Sequence, residues 1–289
     1  MSMTVTRLGR ALGADVSGVE LHQPLDAGEV AGLRQALNQH LVVRVRGQRL
    51  DAPALKRVGE YFGPLFVHPN LVAQGDFPEV ITITKEPDAT NVVGGEWHTD
   101  TTCMEYPPLG AILHAIEVPT LGGDTLFANQ YLAYEALSPA MQTLLTDVRA
   151  VHNDTRVAGP KVALNVRRSV ATREQNWTKI ETTHPVVHTH PETGRRALFV
   201  NIAYTRRFAN MTEQESAPLM NFLLAHAVRP EFSYRFQWQP GDVLFWDNRA
   251  LKHIALNDYP GERREMIRVQ VAGQHQPSLQ PLAPLAAAQ

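Results

Sequence analysis

The 289-residue sequence has one cysteine, Cys103. That excludes an internal disulfide framework and a zinc site built on cysteines. No apolar run approaches the roughly 18–20 residues of a membrane-spanning helix. The first residues, Met-Ser-Met-Thr-Val-Thr-Arg, lack the apolar centre of a signal peptide. Neither GxGxxG nor the Gly-Lys-Ser/Thr phosphate loop occurs, so the usual nucleotide cradles are missing. Charge of either sign is scarce in excess: 27 basic against 29 acidic residues leave a formal net charge of −2. That balance gives no reason to expect nucleic acid or an anionic membrane as partner. No internal repeat and no domain linker interrupts the chain. With 44% apolar and 19% charged residues, it reads as one globular domain over 1–289, expected in the cytoplasm.

What is present is a succession of short strands with a few capped helices. Asp26 and Glu29 form a capping box before Val30, Leu33 and Leu37. Asp51 caps a second helix, and Thr212 with Glu215 a third that should run to about Ala227. Ser138 with Pro139 starts another, expected to reach about Val148. Strands are expected at 41–46, 80–84, 111–116, 126–127, 186–187, 198–200, 232–238, 243–246 and 263–271. Residues 152–182 are polar and Arg-rich and read as a surface insertion or lid. The Pro/Ala/Gln-rich tail 276–289 should be loose. The pattern suits an antiparallel double sheet with flanking helices, mainly β (α+β), of which the jelly roll is one form.

One stretch carries chemistry: Glu96-Trp97-His98-Thr99-Asp100-Thr101-Thr102. On an extended strand, residues two apart share a face, so His98 and Asp100 can offer an imidazole nitrogen and a carboxylate oxygen to one point. His253, after Trp246-Asp247-Asn248-Arg249, is the best third donor. Two His and one carboxylate form the facial triad of non-haem Fe(II) oxygenases. Further on, Arg264 and Arg268 share one strand face with Met266, while Ile267, Val269 and Val271 take the other. Guanidinium groups on an apolar strand call for anions; surface pairing with Glu262 and Glu265 is the plainer alternative.

The runs W-H-T-D at 97–100, G-G-D-T at 122–125 and W-D-N-R at 246–249, with His253 and the Arg264/Arg268 pair, resemble the taurine dioxygenase / 2,4-D dioxygenase family. The resemblance extends from about residue 4 to 273. It implies a double-stranded β-helix (jelly roll) core and a reaction using Fe(II), 2-oxoglutarate and O₂, with release of succinate and CO₂. It implies His98, Asp100 and His253 as iron ligands. Arg264 and Thr125, with the backbone near Thr101, would hold the distal carboxylate of 2-oxoglutarate. Arg268, His68 and Tyr204 would meet a small anionic substrate. Gly94 and Leu71 stand where taurine-handling members carry Asn and Tyr, which points to a bulkier, more apolar anion: a sulfonate, alkyl sulfate ester or aryloxyalkanoate. Taurine itself is the alternative. A homo-oligomer, dimer or tetramer, is expected.

Other readings compete. His184, His188 and His190 are as dense a histidine cluster, best read as structural or surface residues. His114 and His226 read as core or helix-surface residues, and Cys103 as an apolar filler. A non-redox, cupin-like anion-binding protein and a zinc hydrolase on the same ligands are the rival functions.

Overall fold

The structure is a computed structural model that describes residues 3–67, 76–158 and 178–279. The chain runs through β1 (Thr4–Arg7), β2 (Ala14–Ser17), α1 (Ala27–His40), β3 (Val42–Val45), α2 (Ala52–Glu60), β4 (Ile81–Lys85) and β5 (Gly110–Glu117). It continues through β6 (Thr125–Asn129), α3 (Gln130–Glu135), α4 (Pro139–Leu144), β7 (Arg149–Asn153), β8 (Glu181–Pro185), β9 (Val187–Thr189) and β10 (Arg196–Leu198). It closes with β11 (Thr205–Phe208), α5 (Glu213–His226), β12 (Ser233–Phe236), β13 (Val243–Asp247), β14 (Leu251–Ala255) and β15 (Arg264–Val271).

The strands build a jelly roll. Its major sheet has the order β1-β2-β3-β13-β5-β15-β4, and its minor sheet the order β12-β6-β14. All pairs are antiparallel except β2 with β3, which the intervening α1 allows to run parallel. The alternation of side chains along each strand sorts the two faces. Val43, Val45, Ile112, Phe245, Val269 and Val271 point outward onto Leu33 and Leu37 of α1 and Leu55 and Val58 of α2. Val42, Leu113, Leu244, Trp246 and Met266 point inward, against Phe127 and Phe236 of the minor sheet. Both faces are covered, so these strands read as continuous apolar runs. A further layer, from β7, β8 and β11 with α5, packs Leu145, Val186, Leu198, Phe208 and Leu223 together.

The capping boxes at Asp26 and Thr212 form as expected. Three local expectations need correction. The helix starting at Pro139 stops at Leu144 rather than near Val148. There the hydroxyls of Thr143 and Thr146 bond back to the carbonyls of Pro139 and Gln142, competing with continuation of the helix. Helix α3 was not expected; Asn129 caps it by accepting from the N–H of Tyr131 and Leu132. The tail is tied as far as Leu279, because Thr189 N–H and Oγ1 donate to the carbonyls of Ser278 and Leu279. The segment read as a lid leaves β7 and re-enters at β8, where Asn153 pairs with Glu181. Its residues 159–177, like His68, Leu71 and the end of the tail, lie outside the described residues.

Candidate active site

His98 and Asp100 do not lie on a regular strand. His98 forms a single antiparallel bridge with His253, in which each N–H donates to the other's carbonyl, at 2.9 and 2.8 Å. This bridge, which no sequence spacing announces, sets the first and third donors face to face. Thr101 then turns the chain with a φ of 50°. A β-branched residue rarely adopts that conformation, at a cost of about 1–2 kcal/mol, and the turn folds Asp100 back toward both rings. Asp100 Oδ1 lies 3.5 Å from His98 Nε2 and 3.8 Å from His253 Nε2. The three donor atoms all fall within 4.8 Å of one another.

Those separations are close to what a metal demands. Bonds of about 2.1 Å at right angles hold neighbouring donors about 3 Å apart. The hydrogen bonding also leaves the right atoms available. His98 Nδ1–H donates to the Glu96 carbonyl at 2.7 Å, which frees Nε2 to ligate. Asp100 Oδ2 is buried without a hydrogen-bond partner. Burial pushes the Asp100 carboxyl up, but His253, His98 and Arg268 outweigh it and hold the group below the usual carboxylate range. Burial pushes His253 down to about 3, with His98 adding to the effect, so its ring is neutral, as a ligand must be. Among the described residues no other group of three His, Cys, Asp or Glu converges in this way.

Asn248 holds the Asp100 peptide from both sides. Its Oδ1 accepts from Asp100 N–H at 2.7 Å, and its Nδ2 donates to the carbonyls of Asp100 and Pro108 at 3.0 Å. In the sequence Asn248 stands out only as part of the Trp246-Asp247-Asn248-Arg249 run. A buried asparagine five positions before a strand-borne ligand carries no distinctive signal of its own.

The arginines are not surface charges. Arg264 is 5% exposed and its Nε lacks a hydrogen-bond partner. Burial lowers its pKa. Glu265 pairs with Arg263 and Glu262 accepts from Thr120 N–H, so the pairing considered for Arg264 does not occur. Thr125 stands on the facing minor sheet. Its hydroxyl accepts from Trp238 Nε1 at 3.0 Å, and the Arg264 guanidinium lies over that Trp ring, 5.7 Å from the centroid. Trp238 was another residue the sequence did not single out. Arg268 reaches toward the triad, with Nη1 3.9 Å from Asp100 Oδ1. Tyr204 is buried beside Cys103, and Asp100 and Arg268 are among the charges it feels. Gly94 packs on the His98 ring: at its φ of 79°, an added Cβ would sit 3.0 Å from Cε1. A side chain at position 94 would press on that ring from a backbone conformation that favours glycine.

The second histidine cluster is internal. His184 bonds to the Met104 carbonyl, His188 to the Arg249 carbonyl and His190 to the Asp247 carboxylate. His114 and His226 are likewise buried, each bonded to a main-chain carbonyl.

The model of the family described as "Taurine catabolism dioxygenase TauD, TfdA family" matches residues 4–270. An alkylsulfatase from Acinetobacter baylyi is 34% identical, over 94% of this chain and 86% of that protein. An alpha-ketoglutarate-dependent sulfate ester dioxygenase from Pseudomonas putida is 33% identical, over 95% of this chain and 91% of that protein. A crystal structure of a taurine dioxygenase from Burkholderia xenovorans, 34% identical, superimposes with a TM-score of 0.80 over 96% of this chain and 93% of that one.

Proposed function

The chain belongs to the taurine catabolism dioxygenase TauD, TfdA family, and on that premise we propose that it is an Fe(II)- and 2-oxoglutarate-dependent dioxygenase whose substrate is a small organic anion with an apolar body. An alkyl sulfate ester is the best candidate, ahead of a sulfonate or an aryloxyalkanoate. The observation that carries the reading is the convergence of His98, Asp100 and His253, together with a buried Arg264 that has no carboxylate partner among the described residues.

In this reading His98, Asp100 and His253 would hold ferrous iron. When bound, the iron supplies O₂ activation coupled to oxidative decarboxylation of 2-oxoglutarate, and thereby hydroxylation of an unactivated C–H bond. The protein contributes position and electrostatics. Arg264 offers the distal carboxylate a planar pair of donors, and Thr125 a hydroxyl. Arg268, with Nη1 3.9 Å from Asp100 Oδ1, would hold the anionic head of the substrate beside the triad. Tyr204, buried beside Cys103, lines the apolar side. Hydroxylation at the carbon bearing the ester oxygen gives a product that collapses to an aldehyde and sulfate. Gly94 supports the preference over taurine, because it provides no polar group for an amine.

The test is succinate release with Fe(II) and 2-oxoglutarate, with and without O₂, across an alkyl sulfate, an alkyl sulfonate, taurine and an aryloxypropionate. O₂-dependent succinate with the alkyl sulfate leading is expected. Taurine as the best substrate would overturn the substrate assignment, and turnover without O₂ the reaction class. The same panel addresses the zinc hydrolase and the redox-silent binding protein.

A further inference from the structure

Arg264 has a cationic neighbour that neither the motif pattern nor the triad accounts for. Lys85, the last residue of the edge strand β4, is its cross-strand partner. Side chains of such partners leave the sheet on the same face, with Cβ atoms about 4.5–5.5 Å apart. Lys85 is only 3% exposed. A lysine at the end of an edge strand could reach water easily, and its neighbours Pro87 and Asp88 are exposed; instead Lys85 turns inward.

Among the described residues no carboxylate lies within 4.0 Å of Lys85 or of Arg264. The one acidic side chain whose charge reaches Arg264, Asp124, is taken by Arg235 at 2.5 Å. Lys85 Nζ donates a single hydrogen bond, 3.4 Å long, to the Tyr259 carbonyl, and rests 4.4 Å from the centroid of the Tyr259 ring. The Tyr259 hydroxyl is itself buried without a partner, within reach of the charge of Arg264. Two buried cations and an unpartnered hydroxyl on one face are costly together unless an anion joins them.

We propose that Lys85 is a second cation for the distal carboxylate of 2-oxoglutarate, with the Tyr259 hydroxyl as a neutral donor at the same pocket. The proposal rests on the reading of Arg264 given above. With two positive charges for one carboxylate, the pocket favours a dianionic 2-oxo acid and penalises one that ends in a methyl group.

The experiment is calorimetric titration of the full-length Mn(II)-loaded protein, without turnover, with 2-oxoglutarate and with 2-oxobutyrate, which has no distal carboxylate. Lys85→Met should raise the dissociation constant of 2-oxoglutarate by about tenfold or more, the worth of one charge-assisted hydrogen bond, and leave that of 2-oxobutyrate unchanged. Lys85→Arg should retain affinity within about threefold. The melting temperature of the metal-free Lys85→Met protein should hold or rise, because an uncompensated buried charge has been removed. An unchanged 2-oxoglutarate constant, or an equal loss for both acids, would overturn the proposal and leave Lys85 a structural partner of Tyr259. If Lys85→Met does not fold, Lys85→Gln gives the same comparison. Arg264→Met is the reference: a loss there with none at Lys85 defeats this inference alone, whereas no loss at either position defeats the Arg264 assignment itself.

Discussion

Two histidine clusters lie in this protein, and they differ in what their hydrogen bonds leave over. His98 and His253 gather with Asp100; the remaining Asp100 oxygen and His253 Nδ1 are buried with nothing to bond. His184, His188 and His190 lie deeper, and every one of them has an oxygen partner within 2.9 Å. His190 meets Asp247, which Arg249 clamps through three further hydrogen bonds, and Arg249 passes on to Glu192. The first cluster is held open for something else; the second is complete. Histidine density in a sequence therefore says little about a metal, whereas unsatisfied buried donors and acceptors say a good deal.

The comparison can be broken by substitution. His98→Ala or Asp100→Ala should abolish Fe(II) retention and lower substrate-dependent succinate release by more than about a hundredfold, while His184→Asn should retain metal. Metal titration and succinate assays of the purified variants decide this; a His184→Asn protein that loses iron would erase the distinction. Asp247→Ala should act in the opposite way. It removes one of the two carboxylates that hold the buried Arg249 and the partner of His190, and should cost about 3–5 kcal/mol of stability, measured by denaturant unfolding, with the triad's donors intact.

Acid should find the completed cluster too. Burial pushes His184 and His188 down to about 4, so both are neutral in the fold and take up protons more readily unfolded. Below their ordinary value of 6.5 the unfolded chain binds more protons, so stability is full above about pH 6.5 and falls as pH drops toward 4. The loss approaches about 3 kcal/mol per histidine. Melting curves of metal-free protein from pH 7 to 4 measure it, and His184→Asn should flatten the slope. A pH-independent melting point over that range would contradict the buried neutral state.

Smaller effects sharpen the contrast at the triad. Asn248→Ala leaves the Asp100 peptide N–H and carbonyl unpaired, so metal affinity should fall by about tenfold to a hundredfold with little loss of fold. Gly94→Ala places a methyl against the His98 ring at a positive φ, a strain of about 1 kcal/mol. A modest loss of metal affinity, read by the same titration, is expected.

Much of this was legible in the residues themselves. The capping boxes at Asp26 and Thr212 and the shared face of Arg264 and Met266 follow from residue type and local spacing. The triad was legible as a set of residue types. Where reading failed, distant or competing contacts had decided: α4 ended early on its own threonine hydroxyls, and β3 joined β2 in parallel.

By itself the sequence determined which side chains could ligate and which strand would carry two arginines, since both depend only on residue type and the two-residue repeat of a strand. Only the tertiary structure decided that His98 bridges His253 rather than standing on a strand of its own. It alone decided that Asn248 grips Asp100, that His190 spends its nitrogen on Asp247, and that Lys85 joins Arg264 out of reach of any carboxylate among the described residues. Those outcomes depend on which groups remain unpaired once the sheets close, and pairing across 150 residues of chain is a property of the packed molecule.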